Sequence, residues 1–322
     1  MSVLELAGIG RTFVRKPSLA ERALGHRPPQ LRAVDGVDLV LAPGEVLGLV
    51  GESGCGKSTL GRIAAGLLAP SEGTALCNGA KVAEEAGGRL VKRTTAVQMV
   101  FQDPFASLNP RMRVGAIVAE GPLAHGLWRA DEAGARTAAV LRQVGLDATY
   151  ANRFPHQFSG GQRARIGIAR ALAMQPAAIV ADEAVAALDV SIQAQVLNLL
   201  AELRASLGLA LLFISHDLSV VRHLADRVAI MYLGRIVETG PAEQVFEAPA
   251  HPYTRALLES VPRLDRRRAE FRPVQGEIPS PLAPPSGCHF HPRCPIAVAR
   301  CGVEQPALRA LGADRAAACL LA

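Results

Sequence analysis

Apolar residues along this chain recur in short blocks set apart by polar punctuation, and the period inside each block predicts its geometry. Val3 to Phe13 and Val34 to Leu41 read as two strands, separated by a polar, Pro-containing insertion. Val46-Leu47-Gly48-Leu49-Val50 is apolar throughout, which predicts a short buried strand, and a helix follows it. Further strands are predicted at Val97 to Phe101, Ala177 to Ala181 and Leu209 to Ile214, and two more in "RVAIMYLGRIVETG" around a turn at Gly234. Asn78-Gly79 marks another turn. The stretch from Asn109 to about Ala151 turns helical and polar, in "GAIVAEGPLAHGL" and "ARTAAVLRQVGL"; Ala164 to Ala173, closed off by Pro176, and Ile192 to Leu207 are helical too. Alternating strands and helices predict an α/β core with mainly parallel pairing. The antiparallel-looking start and the helical middle suggest inserted subdomains. Beyond Pro249 the chain becomes Pro-rich and Cys-containing, which marks a C-terminal extension.

Composition narrows the picture only slightly. The 322 residues are 49% hydrophobic, enough for a substantial core. No apolar run approaches the roughly 20 residues of a membrane-spanning helix, and Glu5 and Arg11 interrupt any leader-like stretch. The expectation is a cytosolic chain, at most peripheral to a membrane. The net charge of +6 gathers between Arg15 and Arg32 and in the run from Arg263 to Arg268. Such runs suit nucleic acid or anionic headgroups, but a solvated linker explains them more simply, and no aromatics are interleaved for base stacking.

The informative chemistry begins where the buried strand ends. "LVGESGCGKSTLGR" meets G-x-x-x-x-G-K-[ST] with Gly51, Gly56, Lys57 and Ser58, between a predicted strand and a predicted helix. Glycines let successive backbone N–H groups face phosphate oxygens, and the helix N-terminus adds partial positive charge. Lys57 is expected to reach the β- and γ-phosphates and Ser58 to ligate Mg²⁺. A second strand, "AAIVADEA", ends in Asp182 and Glu183: the first suits magnesium, the second a water aimed at the γ-phosphate. Gln102 in "VFQDP" and His216 in "LLFISHD" close two further strands at the carboxyl edge, where α/β sheets bind ligands. Ser159-Gly160-Gly161 opens the helix of "FSGGQRARIGIARALA", a second anion-facing helix start in the same chain. Because the chain has one phosphate loop, this second start suggests service to a neighbouring subunit.

The ordered set resembles the ATP-binding subunit of ATP-binding-cassette (ABC) transporters over about residues 1 to 250. Its elements are the phosphate loop (Gly51, Glu52, Ser53, Gly54, Cys55, Gly56, Lys57, Ser58 and Thr59), Gln102, the signature Ser159-Gly160-Gly161-Gln162, Asp182-Glu183, the loop Ala187-Leu188-Asp189, and His216. The resemblance implies an α/β cassette: a RecA-like parallel core, an antiparallel β subdomain and an inserted helical subdomain at about 103–165. It also implies a head-to-tail pair of cassettes with ATP sandwiched between them. Lys57, Ser58, Gln102, Glu183 and His216 would then act on this chain's ATP, while Ser159 and Gly161 touch the partner's. Gln102 joins Ser58 at the metal, and Phe13 would stack on adenine. Ala184-Val185-Ala186 replaces the usual Pro-Thr-Ser or Pro-Val-Ser, and Phe158 the common leucine; hydrolysis is expected to survive both.

The six cysteines divide unevenly. Cys55 and Cys77 read as plain small residues, whereas Cys288, Cys294, Cys301 and Cys319 cluster near the end. In a cytosolic chain this argues for metal over disulfides. There is no C-x-x-C pair and no ferredoxin-type run, so spacing does not choose the metal; His289 and His291 are further zinc candidates. "GEIPSPLAPPSGCHFHPRCPIAVARC" resembles the extension (residues 251–322) of the oligopeptide/dipeptide importer ATPases, of the second-ATPase type. Members of that subfamily can carry a [4Fe–4S] cluster there; Zn²⁺ and free thiols remain the alternatives. "HPYTRALLESVP" and "FQDPFASLNPRM" match the same subfamily, the latter as the surface facing a membrane subunit.

What the resemblance implies for partners is a second ATPase, a paralogue or a copy, and two membrane permease subunits, with an extracytoplasmic substrate-binding protein engaged indirectly. No nucleic acid is expected, because cassettes that act on it typically carry two phosphate loops or a long coiled coil. The place of work would be the cytoplasmic face of the inner membrane. The implied cargo is di- or oligopeptide, with nickel chelates, glutathione and opines as alternatives.

Overall fold

Aliphatic runs with no polar break can only be inner strands, and in the computed structural model they are. It describes residues 2–14, 30–103, 106–260, 276–312 and 314–322. The chain builds β1 (Leu4–Val14), β2 (Gln30–Leu41), β3 (Val46–Val50), α1 (Lys57–Ala64), β4 (Glu72–Cys77), β5 (Ala80–Lys81), β6 (Ala83–Ala86), β7 (Arg89–Lys92) and β8 (Val97–Val100). Then come α2 (Val114–Ala124), α3 (Ala133–Gln143), α4 (Gly160–Ala173), β9 (Ala178–Asp182), α5 (Val190–Leu207), β10 (Ala210–Ser215), α6 (Leu218–Leu224), β11 (Arg227–Tyr232) and β12 (Arg235–Pro241). The chain closes with α7 (Ala242–Glu247), α8 (Pro252–Glu259), β13 (Arg309–Gly312) and β14 (Arg315–Ala317).

An eight-stranded sheet runs β13-β14-β12-β11-β3-β10-β9-β8. Its inner pairs, β11·β3, β3·β10, β10·β9 and β9·β8, are all parallel, and β12, β14 and β13 extend it antiparallel. Side chains of these strands alternate between two cores. Val46 and Val50, Ile179 and Ala181, and Leu211 and Phe213 face one core with α2 to α8. Leu47 and Leu49, Ala178 and Val180, and Leu212 and Ile214 face the other, with α1 and the antiparallel sheet β2-β1-β4-β5. This is the expected α/β cassette, with a parallel core, an antiparallel β layer and a helical insertion.

The differences from the sequence reading have local causes. The apolar pattern from Ala164 marks only the buried part of α4; the helix starts at Gly160, where Ser159-Gly160-Gly161 is expected to open it, and its polar first turn is fixed by a cap. The helical stretch from Asn109 to Ala151 holds two helices, α2 and α3, at the two segments expected, separated where the amides of Leu127 and Trp128 turn back to Pro122 O. Strands β4 to β7 were not anticipated beyond the Asn78-Gly79 turn, because β5 to β7 are short and exposed. Nor were β13 and β14, which add the end of the chain to the main sheet. The run Arg263 to Arg268, most of Arg15 to Arg32, and two residues of "FQDPFASLNPRM" lie outside the described residues. Among the described residues no helix is long and apolar enough to cross a membrane.

Candidate functional site

The loop between β3 and α1 is shaped by backbone that only glycine tolerates. Gly56, the residue before α1, has φ +108°, and a Cβ there would sit 2.2 Å from Ala33 O. Among the described residues no side chain caps α1, so its first N–H groups stay open toward the cavity in front of them. That cavity, about 320 Å³, is lined by Ser53, Gly54, Cys55, Gly56, Lys57, Ser58 and Thr59, and across from them by Phe13, Gln102 and Glu183. Phe13 stands at its rim, with the Arg11 guanidinium 4.8 Å from its ring centroid. Lys57 is only 4% exposed, and its Nζ donates to Gly51 O at 2.8 Å and Glu52 O at 3.0 Å. Carbonyls thus hold the ammonium at the cavity wall. Cys55 lies buried beneath the loop, and burial pushes its thiol pKa up, which fits a packing role.

Strand periodicity explains how the acids meet this loop. Asp182 shares its face with Val180 and Ala178, the face against which α1 packs, and Ser58 Oγ on α1 donates to Asp182 Oδ1 at 2.8 Å. Burial raises the Asp182 pKa, partly offset by that hydrogen bond. A desolvated carboxylate beside a hydroxyl is an oxygen donor pair that fits Mg²⁺. Glu183, one residue on, has φ +46°, a left-handed conformation at a non-glycine residue. Its amide donates to Ile214 O at 3.0 Å, which pins the turn. Gln102 Nε2 donates to Glu183 Oε2 at 2.9 Å, and His216 Nδ1 lies 3.3 Å from Oε1. Three strand ends therefore converge on one carboxylate. Ala184 and Val185 are buried, and Ala186 N donates to Glu183 O, so a hydrogen-bonded turn forms without the proline.

The signature residues are placed elsewhere. Ser159, Gly160, Gly161, Gln162 and Asp189 do not line the phosphate-loop cavity. Ser159 caps α4, accepting from Gln162 N at 3.4 Å, while Gln162 Oε1 accepts from Ser159 N at 3.1 Å. Gly161 is glycine because a Cβ would lie 2.4 Å from Ile192 Cγ2 of α5. Asp189 is exposed and precedes α5 without a side-chain cap.

The cysteines of the extension do come together. Cys288, Cys294, Cys301 and Cys319 line one small cavity with His251 and His291. Burial raises the Cys288 and Cys294 thiols above their ordinary pKa. A set of four thiols with no carboxylate has the donor softness of an iron–sulfur or zinc site. Among the described residues, however, no group of three or more His, Cys, Asp or Glu side chains is gathered so that it could hold a metal ion. His289 lies apart, in a second cavity beside Asp35 and Arg235.

Two contacts to the phosphate loop escaped the sequence reading. Tyr253 Oη accepts from Glu52 N at 2.9 Å, and Arg293 forks onto the Glu52 carboxylate at 2.8 and 3.0 Å. The latter pair is separated by 241 positions. The only sequence signal was that both residues fall in stretches matching the importer extension, which says nothing of their target.

Comparison with known proteins gives this geometry a family. Residues 34–186 match the family described as ABC transporter, and residues 237–301 match the oligopeptide/dipeptide transporter C-terminal region. The oligopeptide transport ATP-binding protein AppF of Bacillus subtilis is 47% identical over 99% of this chain and 97% of its own length. A probable peptide ABC transporter ATP-binding protein, y4tS of Sinorhizobium fredii, is 50% identical over 90% of this chain and 83% of its own. Among solved structures, cbiO1 of Clostridium perfringens, part of an ABC transporter complex, aligns with TM-score 0.62 and 26% identity, covering 77% of this chain and 91% of that one. An ATP-binding cassette solved as a dimer in a post-hydrolysis state with ADP and Pi aligns with TM-score 0.61 and 26% identity, over 74% of this chain and 98% of that one. A phosphate loop facing three convergent strand ends is thus found in a chain that belongs to the ATP-binding subunits of ABC transporters, with the oligopeptide/dipeptide transporter C-terminal region attached.

Proposed function

We propose that this chain hydrolyses ATP to drive uptake of di- or oligopeptides through a membrane permease. The single observation that carries the reading is the Glu183 carboxylate, held by Gln102 and beside His216, facing the Lys57 cavity in a chain akin to peptide import ATP-binding proteins. ATP would lie with its triphosphate on Gly51, Glu52, Ser53, Gly54, Cys55, Gly56, Lys57, Ser58 and Thr59, and its adenine against Phe13. Lys57 would exchange its carbonyl partners for phosphate oxygens. Glu183 orients the attacking water and accepts its proton, Gln102 fixes the carboxylate from one side, and His216 holds the other oxygen. Ser58, Asp182 and Gln102 are the groups that would hold Mg²⁺, which supplies charge neutralisation at the phosphates.

Ser159, Gly160, Gly161 and Gln162 would complete the site of a second cassette, a paralogue or a copy, with Asp189 beside that seam. Closure follows if ATP binds the closed pair better than the open one. Two permease subunits would receive the movement through the region after Gln102, and a substrate-binding protein outside would deliver cargo. The protein would work at the cytoplasmic face of the inner membrane. We divide it into a cassette at 1–250, its helical subdomain at 103–165, and an extension at 251–322 whose four cysteines line one cavity and would have to draw closer to hold a [4Fe–4S] cluster or Zn²⁺. Peptide-stimulated ATP hydrolysis by the reconstituted transporter tests the reading; no stimulation by any peptide, with stimulation by a nickel chelate, would reassign the cargo. Anaerobic reconstitution with iron and sulfide tests the cysteines: uptake of iron and sulfide that Cys288→Ser prevents is expected, and no uptake removes the cluster.

A further inference from the structure

The phosphate loop is gripped from outside by the extension, and the grip centres on Glu52. Its amide donates to Tyr253 Oη at 2.9 Å, its carbonyl accepts from Lys57 Nζ at 3.0 Å, and its carboxylate takes both arms of Arg293. We propose that Arg293 is a positioning residue for nucleotide binding: it turns aside and neutralises the Glu52 carboxylate, so that the extension sets the affinity of the loop for triphosphate. This rests on the reading that the loop binds ATP.

The argument is electrostatic first. Glu52 sits inside a loop whose open N–H groups and Lys57 attract phosphate, and a free carboxylate there opposes the same anion. Arg293 removes that opposition with a forked pair, the geometry that a guanidinium provides and an ammonium does not. Its side chain is 3% exposed and that of Glu52 21%, so water screens the pair weakly. The guanidinium also donates to Tyr232 Oη at 3.4 Å and lies 5.8 and 5.9 Å from the ring centroids of Tyr232 and Phe290. Tyr232, Tyr253 and Phe290 pack on one another at 4.6 to 5.4 Å, giving Arg293 a rigid seat.

Arg293 is delivered to that seat by the cysteine segment. It ends the short turn His291–Arg293, in which His291 N donates to Cys288 O at 2.9 Å and Arg293 N to Phe290 O at 3.0 Å. The turn lies between Cys288 and Cys294, so the fold of the cysteine site decides where the guanidinium points. Contact runs from that site to the carbonyl that holds Lys57 through a single residue, Glu52.

The test is titration of the full chain with a fluorescent ATP analogue, with a thermal melt for each variant. Arg293→Gln is expected to weaken binding on the order of tenfold, and Glu52→Gln in the same chain to restore it to within about threefold of wild type. Rescue is the readout that lost packing would not give, because the second substitution removes the charge without restoring the guanidinium on Tyr232 and Phe290. In the assembled transporter, KM for ATP should rise while kcat at saturation stays near wild type. Should Arg293→Gln not fold, Arg293→Met, which removes the charge and keeps an apolar stem against the rings, carries the test, with a comparable loss that Glu52→Gln again reverses. Wild-type affinity in both Arg293 variants, or a double variant no better than the single, overturns the proposal. A wild-type chain that binds no nucleotide would instead overturn the reading it rests on.

Discussion

Two helices in this chain begin with glycines and face outward with their positive ends, yet they begin differently. At α1 the residue before the helix is Gly56 in a left-handed conformation, no described side chain caps it, and the open end looks into a cavity of about 320 Å³. At α4 Ser159 and Gln162 close a reciprocal box over the first turn. One start is left unsatisfied and walled by functional groups, so it is prepared to take an anion within the single chain. The other satisfies itself and is set apart from that cavity. An anion that used the second start would have to offer the α4 donors more than Ser159 already does, and a triphosphate presented by another cassette is dense enough in charge to do so. The contrast explains why one chain carries both starts without competing with itself.

The comparison can be broken or sharpened in order of expected effect. Glu183→Gln should leave ATP binding near wild type and slow hydrolysis by about 10³-fold, since it removes the base and keeps the shape. Single-turnover measurement in the assembled transporter checks this, and an unchanged rate would take Glu183 out of the chemistry. Ser159→Ala should leave ATP affinity of the isolated chain within about twofold, while ATP-driven pairing and turnover fall on the order of 10²-fold. If affinity of the isolated chain fell instead, the two starts would not be separate sites.

Acid should loosen α8 first, the helix whose Tyr253 holds the Glu52 amide of the phosphate loop. His251, 1% exposed, caps α8 by accepting from Tyr253 N, and burial lowers its pKa to about 4. A base whose folded pKa lies below its unfolded value binds more protons when unfolded, so stability is lost as pH falls from about 6.5 toward 4. From the shift, the loss is roughly 3 kcal/mol from this residue. Melting curves across that range should flatten in His251→Asn, which keeps a cap acceptor without the titration. The smallest effect belongs to Gln162→Ala, which opens half of the α4 box at a cost of about 1 kcal/mol or less and leaves α1 unmoved; urea denaturation at neutral pH measures it.

How far the sequence could be read depended on whether a feature was local. The strand Val46–Val50 was legible to the residue because an unbroken aliphatic run between charged or glycine neighbours has one stable place, the middle of a sheet. Asp182 and Glu183 were legible for the same reason, as polar residues closing such a run. The strands β13 and β14 were not, because β13 is exposed throughout, β14 is only three residues long, and neither carries an alternation of apolar and polar positions. Nor was the Arg293–Glu52 pair, since nothing near either residue encodes a partner 241 positions away. The separation of Ser159 from the phosphate loop followed only from having two anion-facing helix starts in one chain; its cap with Gln162 needed coordinates.

Strand β14 has one more consequence. It pairs with β12, and its Arg315 reaches the fully buried Glu238, whose carboxylate also accepts from the amides of Ala250 and His251. A protein clipped at residue 308 would therefore lose two things together: the counterion of an interior acid and the covering of a sheet margin. Bare margins recruit strands from other molecules, so proteolytic trimming of so few residues should show itself as clumping well before catalysis fades.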